Sequence, residues 1–286
     1  MRNKIIRLCI VMAVVILILS LFIVAFASIQ KSVFNEKVSG IIIRPQLWDG
    51  NITVVGDVFV VPWISLTIAS GTIILFEKDT DIEGTDWTKW ADDYIIEHND
   101  PTGKEGYGES HFEIAAKIIA MGTKENPIIF TSAQTKKEYA DWDQLVLFSG
   151  SILENVDLSF AHNGINLDGE GVVIKNSIIH NSLWSCIDVF STDNLIEGNE
   201  VYHCWHQAIG FKAPGKNVVK GNDIHDSQLS VNCEFGANPE VKDNRFKSAP
   251  YNPDCPENPT NEIIGGSADT DGGTYNGLLV YPSTSK

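Results

Sequence analysis

Cations are scarce along most of this chain. Lys and Arg total 21 against 37 Asp and Glu, the formal net charge is −16, and Arg245 is the sole arginine after Arg44. Setting aside Arg2, Lys4, Arg7 and Lys31, 17 basic residues face all 37 acids, so residues 32–286 carry about −20. A body that acidic repels polyphosphate and anionic lipid, which argues against nucleic acid as a partner. There is no Cys-x-x-Cys pair and no helical His-x-x-x-His spacing. The group His180, His203, Cys204, His206 and His225 therefore reads as turn residues that stack their rings rather than a zinc or copper site, and no metal or other cofactor is assigned. A lipoprotein signal is missing too, since Cys9 sits at the wrong end of the apolar run that would carry it.

That run is Leu8–Ala27, twenty residues of which only Ser20 is polar, behind a leader that carries Arg2, Lys4 and Arg7 and no acid. It is long enough to cross a bilayer, and the positive-inside rule keeps the N-terminus cytoplasmic and exports the rest. Length favours an uncleaved anchor, while Ala25-Phe26-Ala27 fits a small-x-small cleavage site. The expected address is the cell membrane, single-pass with the bulk of the chain outside, or secretion after cleavage near Ala27. Residues 1–31 are thus signal anchor or signal peptide, and 32–48 a linker. Beyond them stand Cys186, Cys204, Cys233 and Cys255. An even count permits disulfides. Cys233, however, has the spacing of a core position, where a free thiol serves as a small hydrophobe, so no obligatory disulfide framework is expected.

What the chain does have is a ruler. Ile165, Ile187, Ile209 and Val231 follow one another at intervals of 22, each opening an apolar-polar-apolar triplet. A second marker, Asn155, Asn176, Asn199, Asn222 and Asn244, precedes short β-branched pairs at intervals of 21, 23, 23 and 22. Repeats of this length are stacked supersecondary units. Leucine-rich repeats share the period, but these units lack both their leucines and their helix. Gly, Asn, Asp and Ser between short strands fit one turn of a right-handed parallel β-helix. Alternation along a strand points 165, 167, 187, 189, 209, 211, 231 and 233 inward, and 166, 168, 188, 190, 210, 212, 232 and 234 outward. The recurring Asn is a ladder of stacked amides. The expected fold is all-β, a parallel β-helix solenoid over 49–247 preceded by an N-terminal transmembrane or signal helix. An acidic, aromatic insertion at 77–112, with a short amphipathic helix over 86–98, interrupts it, and a Pro/Gly-rich tail, 248–286, follows. The tail's Asp269-Thr270-Asp271-Gly272-Gly273 lacks the downstream Glu of a calcium loop.

The Gly71-Thr72 and Gly122-Thr123 turns, the run Asn126-Pro127-Ile128-Ile129-Phe130-Thr131-Ser132 and the Asn-led rungs resemble the right-handed parallel β-helix repeat family, the pectate-lyase-like superfold, over roughly residues 50–247. That fold hosts lyases, hydrolases, adhesins and scaffolds, so the resemblance implies architecture more than activity. Where polygalacturonase-like members carry Asp-Asp-Cys-Ile, this chain has Trp184-Ser185-Cys186-Ile187, and Trp205-His206-Gln207 replaces their Gly-His-Gly. The arginine base of pectate-lyase-like members has no counterpart other than Arg245. Both activities are disfavoured.

Candidate site residues lie on the outward columns. His162, Trp184, His206 and Gln228 precede the triplets, and Asp188, Asp168, Lys212 and Glu234 follow on the same face. Such a mixture suits sugar: an indole for a pyranose face, carboxylates and cations for hydroxyls. The leading expectation is an exported, membrane-anchored module that binds polysaccharide or another surface polymer, with Trp184, His162, Lys212 and Glu234 as contacts and the membrane engaged through 8–27. The alternative is a polysaccharide hydrolase or lyase with Asp168 and Asp188 as acid and base and His206 assisting. Lys212 and Glu234, one rung apart, also read simply as a cross-rung ion pair.

Overall fold

The computed structural model describes residues 31–78, 113–247 and 261–264. The apolar run at 8–27, the helix at 86–98 and the Asp269–Gly273 loop fall outside them. Among the described residues no helix is long and apolar enough to cross a membrane.

Among the described residues, twenty-five short strands wind into a coil with three faces, and they pair in parallel. The first face is a nine-stranded sheet from Lys31–Phe34 to Glu240–Lys242. The second and third faces merge near the start of the coil, because one ten-residue strand, Asn51–Val60, serves both. Its first half pairs with Ile73–Phe76 on the second face and its last residues with Ile114–Ala116 on the third.

The interior is built from columns, one residue per coil. On the third face Ile165, Ile187, Ile209 and Val231 are register partners in turn, and Leu167, Val189, Phe211 and Cys233 form the neighbouring column. All eight belong to the core, as the 22-residue spacing requires. The first face supplies a nine-rung column, Val33, Trp48, Ile68, Ala120, Leu153, Ile174, Ile196, Val219 and Val241. Burial of each larger member contributes about 1.5–3 kcal/mol.

The coil begins earlier than the repeats suggest. Lys31–Phe34, Lys37–Ile42 and Gln46–Asp49 pair in register with the rungs above them, so 32–48 is the first coil and the start of the second, and not a linker. Val33, Ile42 and Trp48 bury the apolar positions of these strands. At the other end Glu262–Ile264 pairs with Arg245–Lys247, carrying the stack past residue 247.

The Asn marker resolves into two adjacent columns. Asn155, Asn176, Gly198, Gly221 and Asp243 share one position and all have φ between 50 and 69°. Backbone bonds tie the first four from coil to coil. Only residue types that tolerate the left-handed region stand there. The amide ladder is the next position: Asn199, Asn222, Asn244 and Asn261. Each of the first three donates through Nδ2 to the Oδ1 of the one above, at 3.0, 2.9 and 3.2 Å. Ser177 takes the corresponding place one coil earlier, its N–H donating to Asn199 Oδ1. The marker thus steps by one residue between columns from Asn176 to Asn199, while its other uneven intervals follow the length of the coils themselves. A second pair, Asn194 and Asn217, stacks at the edge where the third face turns into the first, at 3.0 Å.

Among the described residues, the edge between the second and third faces carries no such ladder. Its connections run from Phe76 to Ile114, Ser132 to Leu145, Ser159 to Ile165, Ser182 to Ser185, Cys204 to Gln207 and His225 to Val231. Length variation is concentrated on this edge, and the segment expected as an insertion begins and ends there.

Cys186 and Cys204 form a disulfide across this edge between successive coils, with Cα atoms 5.5 Å apart. Cys233 is also disulfide-bonded, so it is not the free thiol expected. Parity placed Cys233 on the inward side correctly, and it is buried, but parity says nothing about pairing. Closing a loop of this length contributes about 3 kcal/mol in the chain-entropy description.

Candidate functional site

Short corners bring aromatic groups into line. The N–H of Trp184 donates to His162 O at 2.7 Å and that of His206 to Trp184 O at 2.9 Å, so the three stand one above another along the edge between the second and third faces. The indole of Trp184 and the imidazole of His206 lie 4.2 Å apart and within 5° of parallel. Trp205 flanks the indole at 6.4 Å. Trp184 nonetheless keeps 38% of its surface exposed. Burial lowers the His206 pKa, and the Lys212 charge lowers it further against the opposing pull of Glu234. The imidazole is therefore neutral near pH 7, and the pair is an ordinary ring stack rather than a cation over an indole. His162 is exposed and faces Asp143 at 3.3 Å. The disulfide lies in the core beneath this group and fixes two of its corners.

Along the outer side of the third face runs one column with two characters: Phe59, Ala115 and Val146 in the early coils, then Asn166, Asp188, Gly210 and Asn232. Alternation points these residues outward, and for Asn166, Asp188, Gly210 and Asn232 that parity leads the sequence to predict a solvent-facing column. They are buried instead, the early ones in a second apolar cluster with Val61 and Phe148, the later ones in a polar network. Asp188, 3% exposed, accepts from Gln207 Nε2 at 2.7 Å. Gln207 Oε1 accepts from Asn232 Nδ2 at 2.7 Å, and that amide also donates to Glu234 at 2.7 Å. Glu234 in turn accepts from Lys212 Nζ at 2.6 Å, the cross-rung ion pair foreseen. Gly210 is required here: a Cβ would meet Gln207 Nε2 at 2.0 Å and Asp188 Oδ1 at 2.5 Å.

The predicted residues therefore divide into groups. Trp184, His206 and His162 share the edge. Asp188, Lys212 and Glu234 share the network. Asp168 follows the strand Ile165–Leu167, so that Asn166 rather than Asp168 is the register partner of Asp188. Gln207, Asn163, Asn166 and Asn232, all members of the network or its flank, were not singled out from sequence. Their side chains meet across coils, and intervals along one column do not show which amide turns sideways. The Gln-after-His at 206–207 was the available signal.

The histidine group resolves as a ring ladder. His180, Tyr202 and His225 stack at 4.8 and 4.9 Å on the second face, with His203 edge-on to Tyr202. Tyr202, the register partner of His180, takes the place His203 was expected to hold. Cys204 is in a disulfide and offers no thiolate there.

Burial raises the Asp188 pKa above its ordinary 3.8, against the Lys212 charge and hydrogen bonds from Gln207, Ser185 and Asn163. The folded state then holds the proton more tightly than the unfolded chain. Its contribution to stability is complete below the unfolded value and is lost as pH rises through the folded one. Asp188→Asn should therefore compare best with wild type at neutral pH, and its relative stability should fall on acidification. Urea denaturation at a series of pH values checks this, and a difference constant with pH would contradict it.

A family model described as the right handed beta helix region matches residues 145–265. No curated protein matches the chain, and no solved structure does.

Proposed function

We propose that this right-handed parallel β-helix is an exported, membrane-anchored module that binds polysaccharide or another surface polymer along the edge between its second and third faces. The observation that carries the reading is Trp184, partly exposed while His206 holds its ring parallel at 4.2 Å. An indole fixed before the ligand arrives loses little rotamer entropy on binding and offers an apolar plate to the C–H side of a sugar ring. Exposed His162 stands one coil away on the same edge. Export is supported by the Cys186–Cys204 disulfide, since such bonds persist in oxidising compartments, and by the apolar run at 8–27.

The enzymatic alternative draws support from the raised pKa of Asp188, which suits a general acid. Its carboxylate is enclosed by Gln207 and backed by Gly210, however, and a positioning role within the network accounts for it without a substrate.

A glycan array probed with the full chain tests the binding reading. Retention of at least one polymer is expected, with Trp184→Ala weakening it about tenfold, the equivalent of one lost aromatic contact. No retention, or retention indifferent to Trp184→Ala, refutes it. New reducing ends or unsaturated products from the same polymers, lost in Asp188→Asn with the fold intact, transfer the assignment to the enzyme.

A further inference from the structure

Among the described residues, the first two coils carry most of the large apolar side chains left in solvent. Phe34 is 60% exposed, Ile41 46%, Ile43 71% and Trp63 79%. Ile41 is the register partner of Phe59, and the N–H of Val61 donates to Ile42 O, so Ile41 and Ile43 form the open end of the apolar cluster on the outer third face. Trp63 belongs to the turn just past Val61, where Ile64 N–H closes back on Val61 O. Charge follows the same division. The first three strands and their turns, 31–49, hold Lys31, Lys37 and Arg44 against Glu36 and Asp49, in a chain whose net charge is −16. Lys31 and Arg44 form no ion pair among the described residues.

We infer that this end of the coil seats on the lipid–water interface, with Trp63, Ile43, Ile41 and Phe34 inserted at headgroup depth and the coil axis rising from the membrane. The inference rests on the anchored reading of Leu8–Ala27. Only Ser28–Gln30 separate that run from the first strand, so four steps of chain, at most about 14 Å, hold the rim next to the bilayer surface. Tryptophan is the residue that favours this layer, its ring apolar and its N–H wet. The lipid surface is the occupant because the tether delivers these side chains to it, and the contact is end-on because the exposed apolar groups gather in the coils nearest that tether. The partner is the zwitterionic interface itself, reached by apolar insertion.

The full chain reconstituted in phosphatidylcholine vesicles, with lipids brominated on the acyl carbons nearest the headgroup, tests this by tryptophan quenching. Wild type should be quenched, and Trp63→Phe should lose most of the lipid-dependent quenching while Trp184→Phe keeps it. Resistance of the chain to carbonate extraction from the same vesicles reports the anchor separately. Quenching unchanged in Trp63→Phe, in a chain that resists extraction, overturns the seating and leaves the anchor. Extraction of the wild-type chain overturns both.

Discussion

Ile187→Asp is expected to unfold the middle coils, at a cost of about 5 kcal/mol or more. Ile187 is fully buried, with Ile165 below and Ile209 above in one column. The substitution forfeits roughly 1.5–3 kcal/mol of apolar burial and places in the same column a carboxyl with no polar partner. Ile187→Val, which removes one methylene, should cost only about 0.5–1.5 kcal/mol. Each coil touches only its neighbours, so the loss should be local before it is global. Amide exchange would rise around the strands Ile165–Leu167, Ser185–Val189 and Gln207–Phe211, with the coils near Asn51–Val60 protected longest. A variant with wild-type urea midpoint and uniform protection would refute the shared interior wall.

Asn222→Ala should destabilise by roughly 3 kcal/mol, out of proportion to a single turn residue. Asn222 Oδ1 accepts from both the backbone N–H and the Nδ2 of Asn199, at 2.9 and 3.0 Å. Its Nδ2 donates to Ile196 O at 3.0 Å and Asn244 Oδ1 at 2.9 Å. Alanine leaves the buried amide groups of Asn199 and the carbonyl of Ile196 without those partners, and the cost of an unmet buried group exceeds the net worth of one bond. Asn176→Gly is the matched control. That residue stands in the left-handed column, where Gly198 and Gly221 occupy later coils, and its exchange should stay within roughly 0.5 kcal/mol of wild type. Thermal melts of the two variants decide between one Asn column and two. Equal losses would mean that the amides at both positions bear the same load.

The interior was readable because a constant interval projects one residue onto the same wall of every coil. Ile165 through Val231 needed nothing more. The Asn marker was read one residue out in its first two members, since Asn155 and Asn176 share side chain but not position with Asn199 and Asn222. The interval of 23 from Asn176 to Asn199 holds that step, but the interval of 23 within the amide column, from Asn199 to Asn222, looks the same in the sequence. The outward column was legible in register and misleading in exposure. Parity fixes which way Asp188 leaves the backbone, whereas its burial depends on Gln207 and Asn232 reaching across coils, and on Gly210 yielding the space. Spacing alone puts Trp184 and His206 in one column, because 22 residues separate them, and the stacking of their rings comes from corners of equal length around them. Nothing in the spacing foretold that Cys186 and Cys204, 18 apart, would close the same corner.

Two of the three edges carry stacked amides in the later coils, Asn199 to Asn261 on one and Asn194 with Asn217 on the other, and loss of position there would break those hydrogen bonds. The third has no amide ladder among the described residues, and the stretch of sequence between its strands ranges from two residues to several tens. Division of labour of this kind lets one edge diversify freely while the barrel of the molecule stays unaltered. Grafted peptides at Leu183–Trp184 or Trp205–His206 would thus act as interchangeable fingertips on a constant grip, and new ligand preferences could be selected there without re-engineering the scaffold.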